Sequence, residues 1–455
     1  MQDILKKFPQ KTIAVIGDLI LDRYILGDAD RISPEAPAPV VAIQNEKTAL
    51  GGAANAAANV AAMSGKAVLV GGIGNDEAGK NMLQLLRKSG VDASGVFKFN
   101  RPTTEKTRVV ARSQTIVRLD REDSAYIDKN LENKILGFVA SNIKNWDGLI
   151  VSDYAKGLIT EKLAKGLVGL SRRHRKSIVV DTKPKHFFFF KGATVLTPNK
   201  KEAESVAGGM FKSTADLKLA GRKIQKKVAA NVLVTLGANG CALFSGNRMS
   251  YLPSDASEVF DVTGAGDTLA AAMVLALASG AKIFQATKLS NAAAGIAVGK
   301  TGTATVSLRE LKLWSASKKI LPNVSMPLPD IVDRYTIAKL KMARFTPEQK
   351  AHEFLLEEEF AAFDTVMSEI KKRIPAVARW EKELYKINGQ VWDLESDIRR
   401  GKERKMKLEE IGRRALAIRD INAKRADLRN KIVHETGLGF PDHKVGHASE
   451  IPKLA

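Results

Sequence analysis

A glycine-rich turn that leads into an apolar segment carries the residues most directly suited to chemistry in this sequence. Residues 263–267 read Thr-Gly-Ala-Gly-Asp, and an alanine-rich stretch follows at 269–279. If a helix begins at this turn, its unpaired N–H groups and its dipole form an anion site. The Asp267 carboxylate at the edge of that site could accept a proton from an attacking hydroxyl group. An anion site beside a base is what phosphoryl transfer to an alcohol requires.

Two other motifs could contact a sugar and a nucleotide, and each also has a purely structural interpretation. Gly51 and Gly52 would let a ligand approach the backbone, and Asn55 could bond to sugar hydroxyls. The alternative is a glycine turn before a packing helix. Asn199 and Glu202 lie one helical turn apart and could hold a hydrated Mg²⁺ near nucleotide phosphates. They also match a capping box, in which both side chains bond to the start of a helix.

A third motif at 235–240 reads Thr-Leu-Gly-Ala-Asn-Gly. Gly237 and Gly240 would leave backbone amides free to meet phosphate, and Thr235 could add a hydroxyl group. A plain hairpin turn explains the same residues equally well. The turn at 263–267 has a structural alternative too, in which Asp267 caps a helix that packs on a sheet.

The elements that would position these motifs alternate between apolar strands and amphipathic helices. Near-continuous apolar runs predict strands at 12–17, 67–71, 148–152, 177–181, 194–197 and 231–236. Helical periodicity lies between them, at 53–64, 77–89, 131–144 and 214–227. This alternation predicts an α/β fold with a mostly parallel sheet covered by helices on both faces. Ligands of such sheets bind beyond the carboxyl ends of the strands, where we find Asp18, Asp153, Asp181, Asn199 and Gly237.

Two regions interrupt this pattern with strand-like alternation and no helices. They are 20–29 with 38–44, and 104–120. In the second region, Thr107, Val109 and Ala111 would face one way, and Arg108, Val110 and Arg112 the other. We expect a small antiparallel β lid, which either covers the site or pairs with a second copy of the chain to form a homodimer.

A second domain follows the first one, which spans residues 1–312. Three prolines, at 322, 327 and 329, predict a linker over 313–329. Helical stripes at 348–374, 377–400 and 403–435 predict an all-α hairpin or three-helix bundle within 330–455. Asn388, Trp392 and Glu395 share a helical face there, which fits a buried polar network or a second ligand site.

Length and composition exclude several classes of protein. With 455 residues the chain is too long for one core, and its single cysteine, Cys241, excludes an intrachain disulfide. The sequence has neither a signal-peptide core nor a membrane-spanning stretch, so we expect a cytoplasmic protein without membrane insertion.

Residues 330–455 carry 26 Lys+Arg and 22 Asp+Glu, which leaves +18 of the net charge of +22 on residues 1–329. Few aromatic residues interleave with the basic ones, so we expect no nucleic-acid partner.

The order of the motifs along residues 1–312 resembles the ribokinase-like (PfkB) sugar kinases. Gly-Gly-x-x-Asn is followed by Asn-x-x-Glu, Thr-Leu-Gly-x-x-Gly and Asp-x-Thr-Gly-Ala-Gly-Asp, each at a predicted strand end. The resemblance implies a carbohydrate kinase that uses ATP and Mg²⁺, with Asp267 as the base. It implies an anion hole made by the amides of Gly264, Ala265 and Gly266. The implied ATP-binding residues are Asn199, Lys200, Lys201, Glu202, Thr235, Gly237 and Gly240, with Asn199 and Glu202 holding Mg²⁺ through water. The implied sugar-binding residues are Asp18, Gly51, Gly52 and Asn55.

A narrower resemblance is to the heptose 7-phosphate kinases. It is carried by residues 31–40, 50–55, 106–109, 118–120, 152–157 and 196–199. This resemblance implies phosphorylation of D-glycero-D-manno-heptose 7-phosphate at C1, and the product would feed nucleotide-activated heptose for lipopolysaccharide or another surface glycan. Basic side chains could bind the substrate phosphate. The substrate-binding set then extends to Lys106, Arg108, Asp153, Lys156, Asp181 and Lys183, although Thr182 stands where a proline commonly precedes that lysine.

Two other functions stay open at this stage. The chain could phosphorylate another sugar or a nucleoside, because the family-wide motifs define the reaction better than the acceptor. It could also be a non-catalytic sugar-phosphate sensor or scaffold, whose helical domain binds a protein partner. Nucleotidyl transfer is excluded, because His443 and His447 have the wrong spacing for a His-x-Gly-His motif and no helical pattern follows them.

Overall fold

The computed structural model describes residues 1–111, 114–255, 261–300, 304–317, 326–344, 353–399 and 406–439. Three features named from the sequence lie outside the described residues: Arg112 of the lid, residues 318–325 of the linker, and the segment from His443 to His447. The chain divides into two compact units, Met1–Leu321 and Pro322–Ala455, and each is described by itself.

Strands and helices alternate along the first unit, as the sequence periodicity predicts. The strands are β1 (Thr12–Gly17), β2 (Leu19–Ile32), β3 (Pro39–Gly52), β4 (Lys66–Ile73), β5 (Asp92–Lys98), β6 (Thr104–Ala111), β7 (Gln114–Arg121), β8 (Gly148–Asp153), β9 (Ser177–Thr182), β10 (Val195–Leu196), β11 (Asn231–Thr235), β12 (Cys241–Ser245) and β13 (Arg248–Leu252). The helices are α1 (Gln2–Leu5), α2 (Ala53–Ala62), α3 (Glu77–Lys88), α4 (Lys129–Asn142), α5 (Glu161–Arg173), α6 (Lys200–Ala207), α7 (Thr214–Val228), α8 (Ala265–Ala278), α9 (Ile283–Val298) and α10 (Leu308–Ser317).

Within the described residues, the main sheet has nine strands in the order β13-β12-β11-β10-β9-β8-β1-β4-β5. Its pairings are parallel from β11 to β5, and β12 and β13 run antiparallel at one edge. Side chains of β1 alternate between two cores: Ile13 and Val15 belong to the core that includes residues of α2, α8 and α9, and Ala14 and Ile16 belong to the core that includes residues of α4, α5 and α7. Helices therefore cover both faces, which explains the uninterrupted apolar sequence of β1.

Parallel pairing brings the carboxyl ends of several strands to one edge of the main sheet. There β1 ends at Gly17, β8 at Asp153, β9 at Thr182 and β11 at Thr235. Backbones approach closely at this edge, because a Cβ atom on Gly17 would lie 1.9 Å from the carbonyl oxygen of Ser152. The residues that the sequence places at strand ends therefore share one edge of the sheet.

The lid is a second sheet with the strand order β3-β2-β6-β7. The pairs β2–β3 and β6–β7 are antiparallel, as expected, whereas β2 and β6 run parallel. Parallel pairing is open to them because α2, β4, α3 and β5 intervene between β3 and β6. The expected alternation along β6 is interrupted by an irregular register between Val109 and Val110. Strand β7 forms one edge of the lid, and all eight of its residues are exposed.

Four helices make up the described part of the second unit: α11 (Leu328–Ala343), α12 (Glu353–Arg373), α13 (Val377–Arg399) and α14 (Leu408–Thr436). The predicted hairpin or three-helix bundle misses α11, because Pro327 and Pro329 are interpreted as linker. A first helical turn leaves its N–H groups unpaired, so proline fits there. Helix α10 also reaches Ser317, and so helices enter both ends of the predicted 313–329 linker. None of the described helices combines the length and apolar character needed to cross a membrane.

A buried polar network joins three helices of the second unit. Asn388 donates through Nδ2 to Oδ1 of Asp333 at 2.8 Å and to the Thr336 hydroxyl at 2.9 Å. Arg425 donates to the same Asp333 carboxylate at 3.0 Å and 2.5 Å. These contacts match the polar-network interpretation of the Asn388 face, since buried polar groups here find partners within the bundle.

Candidate active site

Asp267 lies in the first turn of α8, between donors from two other elements. Gly264 precedes the helix with a φ of +80°, which glycine adopts without strain. The Asp267 residue is only 4% exposed. Its Oδ2 accepts a hydrogen bond from Nδ2 of Asn55 at 2.7 Å, and its Oδ1 accepts one from the Tyr154 hydroxyl at 3.2 Å. Each carboxylate oxygen therefore has one donor from the protein.

Two acidic groups at this site ionise near neutral pH. Burial raises the pKa of Asp267 to about 7, although the hydrogen bonds from Asn55 and Tyr154 act in the opposite direction. Burial also raises the pKa of Asp181 to about 7, and the negative charge of Asp267 adds to that increase. Carboxyl groups with such shifted pKa values are typical of sites that transfer protons.

A cavity of about 580 Å³ lies beside the start of α8. Ala265 and Gly266 line it, and so do Tyr154, Asp181 and Lys183. All of the residues predicted to bind ATP also line it: Asn199, Lys200, Lys201, Glu202, Thr235, Gly237 and Gly240. Apolar side chains contribute as well, from Leu236, Leu269 and Val298. The cavity thus combines polar and apolar surfaces, as a nucleotide requires.

One N–H group of the predicted anion hole, that of Ala265, already has a hydrogen-bond partner in the protein. The N–H of Ala265 donates to the carbonyl oxygen of Val262 at 3.3 Å. The N–H of Thr268 bonds to the carbonyl oxygen of Gly264 at 3.0 Å, as expected inside a helix. Phosphate binding at Ala265 would therefore exchange the bond to Val262 for a bond to the ligand. The anion-binding role of Gly264, Ala265 and Gly266 stays a prediction.

Asn199 and Glu202 form the capping box of α6. Oδ1 of Asn199 accepts the N–H of Glu202 at 2.9 Å, and Oε2 of Glu202 accepts the N–H of Asn199 at 3.0 Å. Oε1 of Glu202 accepts a bond from Nζ of Lys183 at 2.7 Å. Each oxygen keeps a second lone pair, so a water of a hydrated Mg²⁺ fits there. The described residues contain no group of three or more His, Cys, Asp or Glu that could bind a metal ion directly.

Asp18 and Asp153, both predicted to bind substrate, hold the loop that follows β8. Asp18 is 4% exposed, and its carboxylate accepts three backbone N–H groups. Burial raises the pKa of this carboxyl group to about 6. Asp153 accepts the N–H of Ala155 at 2.9 Å and the hydroxyl of Thr182 at 2.5 Å, and it lies 2.8 Å from Nδ1 of His186. The three donors to Asp18 belong to Tyr154, Lys156 and Leu158.

Gly51 and Gly52 allow β3 to end close against β2. A Cβ atom on Gly51 would lie 2.4 Å from Oδ2 of Asp22, and one on Gly52 would lie 2.5 Å from the carbonyl oxygen of Asp18. Gly52 also has a φ of +57°. Packing therefore accounts for both glycines, and it lets α2 begin where Asn55 reaches Asp267. Their contact with substrate stays a prediction.

Two basic residues predicted to bind the substrate phosphate, Lys156 in the loop after β8 and Arg108 on the lid strand β6, already have acidic partners. Nζ of Lys156 bonds to Oε1 of Glu122 at 2.5 Å, and Arg108 bonds to Asp22 at 2.6 Å. Burial lowers the pKa of Lys106, and the positive charge of Lys156 lowers it further. A bound phosphate group would offset the repulsion between these two lysines.

The first unit of the chain is similar to known carbohydrate kinases. A family model described as "pfkB family carbohydrate kinase" matches residues 10–310. The chain belongs to the pfkB family of carbohydrate kinases. The match covers the strands of both sheets and the start of α8, and it leaves the second unit unmatched.

Curated pfkB relatives share the first unit of the chain. Proteins named "Bifunctional protein HldE" from Sulfurimonas denitrificans and Geobacter metallireducens are 41% and 43% identical over 316 and 300 residues. These alignments cover 69% and 65% of this chain, and 66% and 61% of the two relatives. The chain therefore spans less than two thirds of the length of these proteins.

Solved structures show the same pfkB fold. The tetrameric inhibited form of phosphofructokinase-2 from Escherichia coli has a TM-score of 0.57 at 17% identity, covering 68% of this chain and 99% of that one. A ribokinase from Thermotoga maritima has a TM-score of 0.54 at 22% identity, covering 67% and 99%. At this level of identity the likeness establishes the fold alone: a ribokinase-like α/β sheet with a small lid.

The sequence does not predict three residues that lie beside the residues of this candidate site. Tyr154 bonds to Asp267, and Asp22, which is 5% exposed, bonds to Arg108. Arg101 donates to the carbonyl oxygens of Ala125 and Lys156 at 2.6 Å and 3.0 Å. The sequence did hold one signal, because Tyr154 stands inside the 152–157 motif. Arg101 follows β5, a strand that the sequence does not predict, and it belongs to no motif, so only the folded chain places it there.

Proposed function

We propose that this chain transfers the γ-phosphoryl group of ATP to a hydroxyl group of a sugar phosphate. The observation that supports this most directly is the position of Asp267. It is a buried carboxyl group with a pKa of about 7, next to a cavity lined by every residue predicted to bind ATP. At neutral pH a large fraction of Asp267 is ionised, so it can accept a proton from the attacking hydroxyl.

In this proposal the acceptor hydroxyl gives its proton to Asp267 while its oxygen attacks the γ-phosphorus atom. The bond between that phosphorus and the β,γ-bridging oxygen breaks, and ADP leaves. The strong bond from Asn55 holds the carboxylate in place on its Oδ2 side. The start of α8 stabilises the charge that develops on the transferred group, through its dipole and the amides of 264–266. Asn199 and Glu202 would hold Mg²⁺ through water, and the bound ion would supply positive charge to the phosphates.

The acceptor that we propose is D-glycero-D-manno-heptose 7-phosphate, phosphorylated at C1. The heptose-kinase motifs at 31–40 and 152–157 support it, and Lys106 and Lys156 provide two neighbouring ammonium groups for the 7-phosphate. The 1,7-bisphosphate product would serve the synthesis of ADP- or GDP-heptose for lipopolysaccharide or another surface glycan, in the cytoplasm. For residues 330–455 we propose no second catalytic activity.

The acceptor can be tested separately from the reaction. ADP release is measured with ATP and Mg²⁺ and with one acceptor at a time: the heptose 7-phosphate, a hexose phosphate, ribose or a nucleoside. We expect the highest kcat/KM with the heptose 7-phosphate. A higher value with another acceptor would contradict the heptose assignment and leave the kinase proposal intact. No ADP release with any sugar or nucleoside would favour the sensor or scaffold function instead.

The catalytic base is tested by Asp267→Asn, which keeps the shape of the side chain and removes its charge. We expect a loss of about 10²- to 10⁴-fold in kcat, because a general base contributes that much. Asp92→Asn on the exposed edge of β5 serves as the matched control and should retain activity. Near-normal turnover by Asp267→Asn would overturn the proposed function.

A further inference from the structure

Tyr154 is the only described residue besides Asn55 for which a side-chain hydrogen bond to Asp267 is seen. It directly follows β8, and its half-buried ring lines the cavity. Its hydroxyl donates to Oδ1 of Asp267 at 3.2 Å, opposite the Asn55 bond to Oδ2 at 2.7 Å. Donors on different oxygens fix the rotation of a carboxylate about its Cβ–Cγ bond. One lone pair on each oxygen remains for an incoming hydroxyl group.

The backbone around Tyr154 is fixed on both sides. Its own N–H donates to Oδ2 of Asp18 at 2.9 Å, and the N–H of Lys156 donates to the same oxygen at 3.0 Å. Ala155 has a φ of +56°, a left-handed conformation that residues other than glycine rarely adopt, and its N–H bonds to Asp153 at 2.9 Å. Buried acidic side chains thus hold this loop in one conformation. This fixed backbone holds the Tyr154 hydroxyl group beside the Asp267 carboxylate.

Tyr154 can act towards Asp267 as a donor only. Burial raises the pKa of its phenol well above the usual value of 10, and the negative charge of Asp267 raises it further. The hydroxyl therefore keeps its proton and favours the ionised carboxylate. Two other charged groups act on Asp267: Asp22 disfavours its ionised form, and Lys183, whose Nζ lies 5.3 Å from the Tyr154 ring centroid, favours it. Asp181 also lies at this site; burial raises its pKa to about 7, and the negative charge of Asp267 raises this pKa further.

We propose that Tyr154 is a positioning residue, whose hydroxyl orients the Asp267 carboxylate and stabilises its ionised form for proton abstraction. This inference rests on the proposed function, because it assigns Tyr154 a task only if Asp267 is the base. No bond to Tyr154 is made or broken in the reaction. Its contribution is therefore visible in how Asp267 titrates as well as in the rate.

The test is Tyr154→Phe, which removes the hydroxyl and keeps the ring. We expect the acid limb of the pH profile of kcat/KM to move to higher pH by about half to one unit, because the charged form of Asp267 loses a donor. We expect kcat at pH 8 to fall about three- to tenfold. Tyr126→Phe is the matched control: it removes a hydroxyl that lies 2.8 Å from Nε2 of His186, and the acid limb should stay in place.

The position of the acid limb does not depend on how much of the enzyme is folded, so reduced stability of Tyr154→Phe leaves the test valid. A double-mutant cycle adds an independent measure: in the Asp267→Asn background, Tyr154→Phe should cause no further loss. An unchanged acid limb in Tyr154→Phe, or an equal shift in Tyr126→Phe, would overturn the inference while Asp267→Asn remains inactive. High activity of Asp267→Asn would instead overturn the proposed function itself.

Discussion

Two buried carboxyl groups at this site lower the stability of the native state, and the same shifted pKa values suit them to proton transfer. Asp267 and Asp181 have pKa values near 7, well above those of carboxyl groups in an unfolded chain. A group whose pKa is raised by folding contributes stability below its unfolded pKa, and this contribution is lost as the pH rises through the folded pKa. The free energy of unfolding should therefore fall progressively as the pH rises from about 4 to about 7. Above about pH 7 this loss of stability is constant.

Asp181 offers the clearest test of this linkage. Asp181→Asn removes one buried charge, so we expect an increase of about 1–2 kcal/mol in the free energy of unfolding at pH 8 and little change near pH 4. The variant should also bind substrate less well if Asp181 has its predicted role. Urea unfolding at the two pH values measures the effect. Asp92→Asn on the protein surface should show no such pH dependence, and an equal gain at both pH values for Asp181→Asn would contradict the linkage.

At the scale of elements, the start of α6 combines a structural and a predicted functional role. The Asn199–Glu202 capping box satisfies N–H groups at the helix start, and the same residues line the cavity. Helix α7 has a capping box of the same kind, made by Ser213 and Asp216, and these residues are not part of the cavity lining. The two helices therefore allow the capping contribution to be separated from nucleotide binding.

Asn199→Ala and Ser213→Ala form a matched pair for this purpose. Each should lower the free energy of unfolding by about 1 kcal/mol, since each removes a helix cap. Only Asn199→Ala should raise the KM for ATP, because only Asn199 borders the cavity. Steady-state kinetics with varied ATP and urea unfolding provide the two measurements. An unchanged KM in Asn199→Ala would leave Asn199 with a structural role alone.

Much of the element order follows from local sequence. The apolar run at 12–17 and the Ala-rich pattern after Gly52 predict β1 and α2 at almost their observed bounds. Nearly all residues of these two elements are buried, so their sequences are mostly apolar. Strands β5 and β13 are not predicted, since β5 is partly exposed and β13 belongs to a hairpin at the edge of the sheet. Strand β12 pairs antiparallel with β11, as the hairpin-turn interpretation of 235–240 predicts. The parallel β2–β6 pair depends on a long crossover, which local periodicity does not reveal.

The candidate site was predictable to a similar extent. The residues on strand ends and on the start of α8 were found, because glycine turns and helix starts have sequence signals. The engagement of Asp18 with three backbone amides was not, since it depends on a loop more than a hundred positions away along the chain. Tyr154 was missed for the same reason: its partner Asp267 lies far from it in the sequence.

At the scale of the whole molecule, the pfkB family match and most of the net positive charge both lie in the N-terminal part of the chain. The pfkB match ends at residue 310, and +18 of the +22 net charge lies on residues 1–329. An excess of positive charge on the kinase unit suits its anionic substrates, because it raises their local concentration near the site. The second unit is packed around its own core, which includes Val332, Trp380 and Ile432. A protein partner for this unit stays a prediction.

The lid bears apolar side chains that a monomer would leave in water. Ile32, Ile43 and Leu119 are 64%, 58% and 56% exposed, and Leu119 lies on the edge strand β7. Exposed apolar residues on an open sheet edge are typical of a surface that pairs with another chain. We expect the partner to be a second copy of this lid, because a two-fold axis would bring the β7 edge of one copy against the β7 edge of the other.

We therefore expect a homodimer in solution that depends on the lid. Leu119→Lys should weaken dimerisation at least about tenfold, because it removes apolar contact and brings like charges together near a two-fold axis. Light scattering during size-exclusion chromatography measures the mass over a range of concentrations. Leu219→Lys on α7 is the matched control, since Leu219 is 75% exposed and lies outside the lid. A monomeric wild type, or equal dissociation in both variants, would show that these lid residues serve another purpose, such as closing over the sugar.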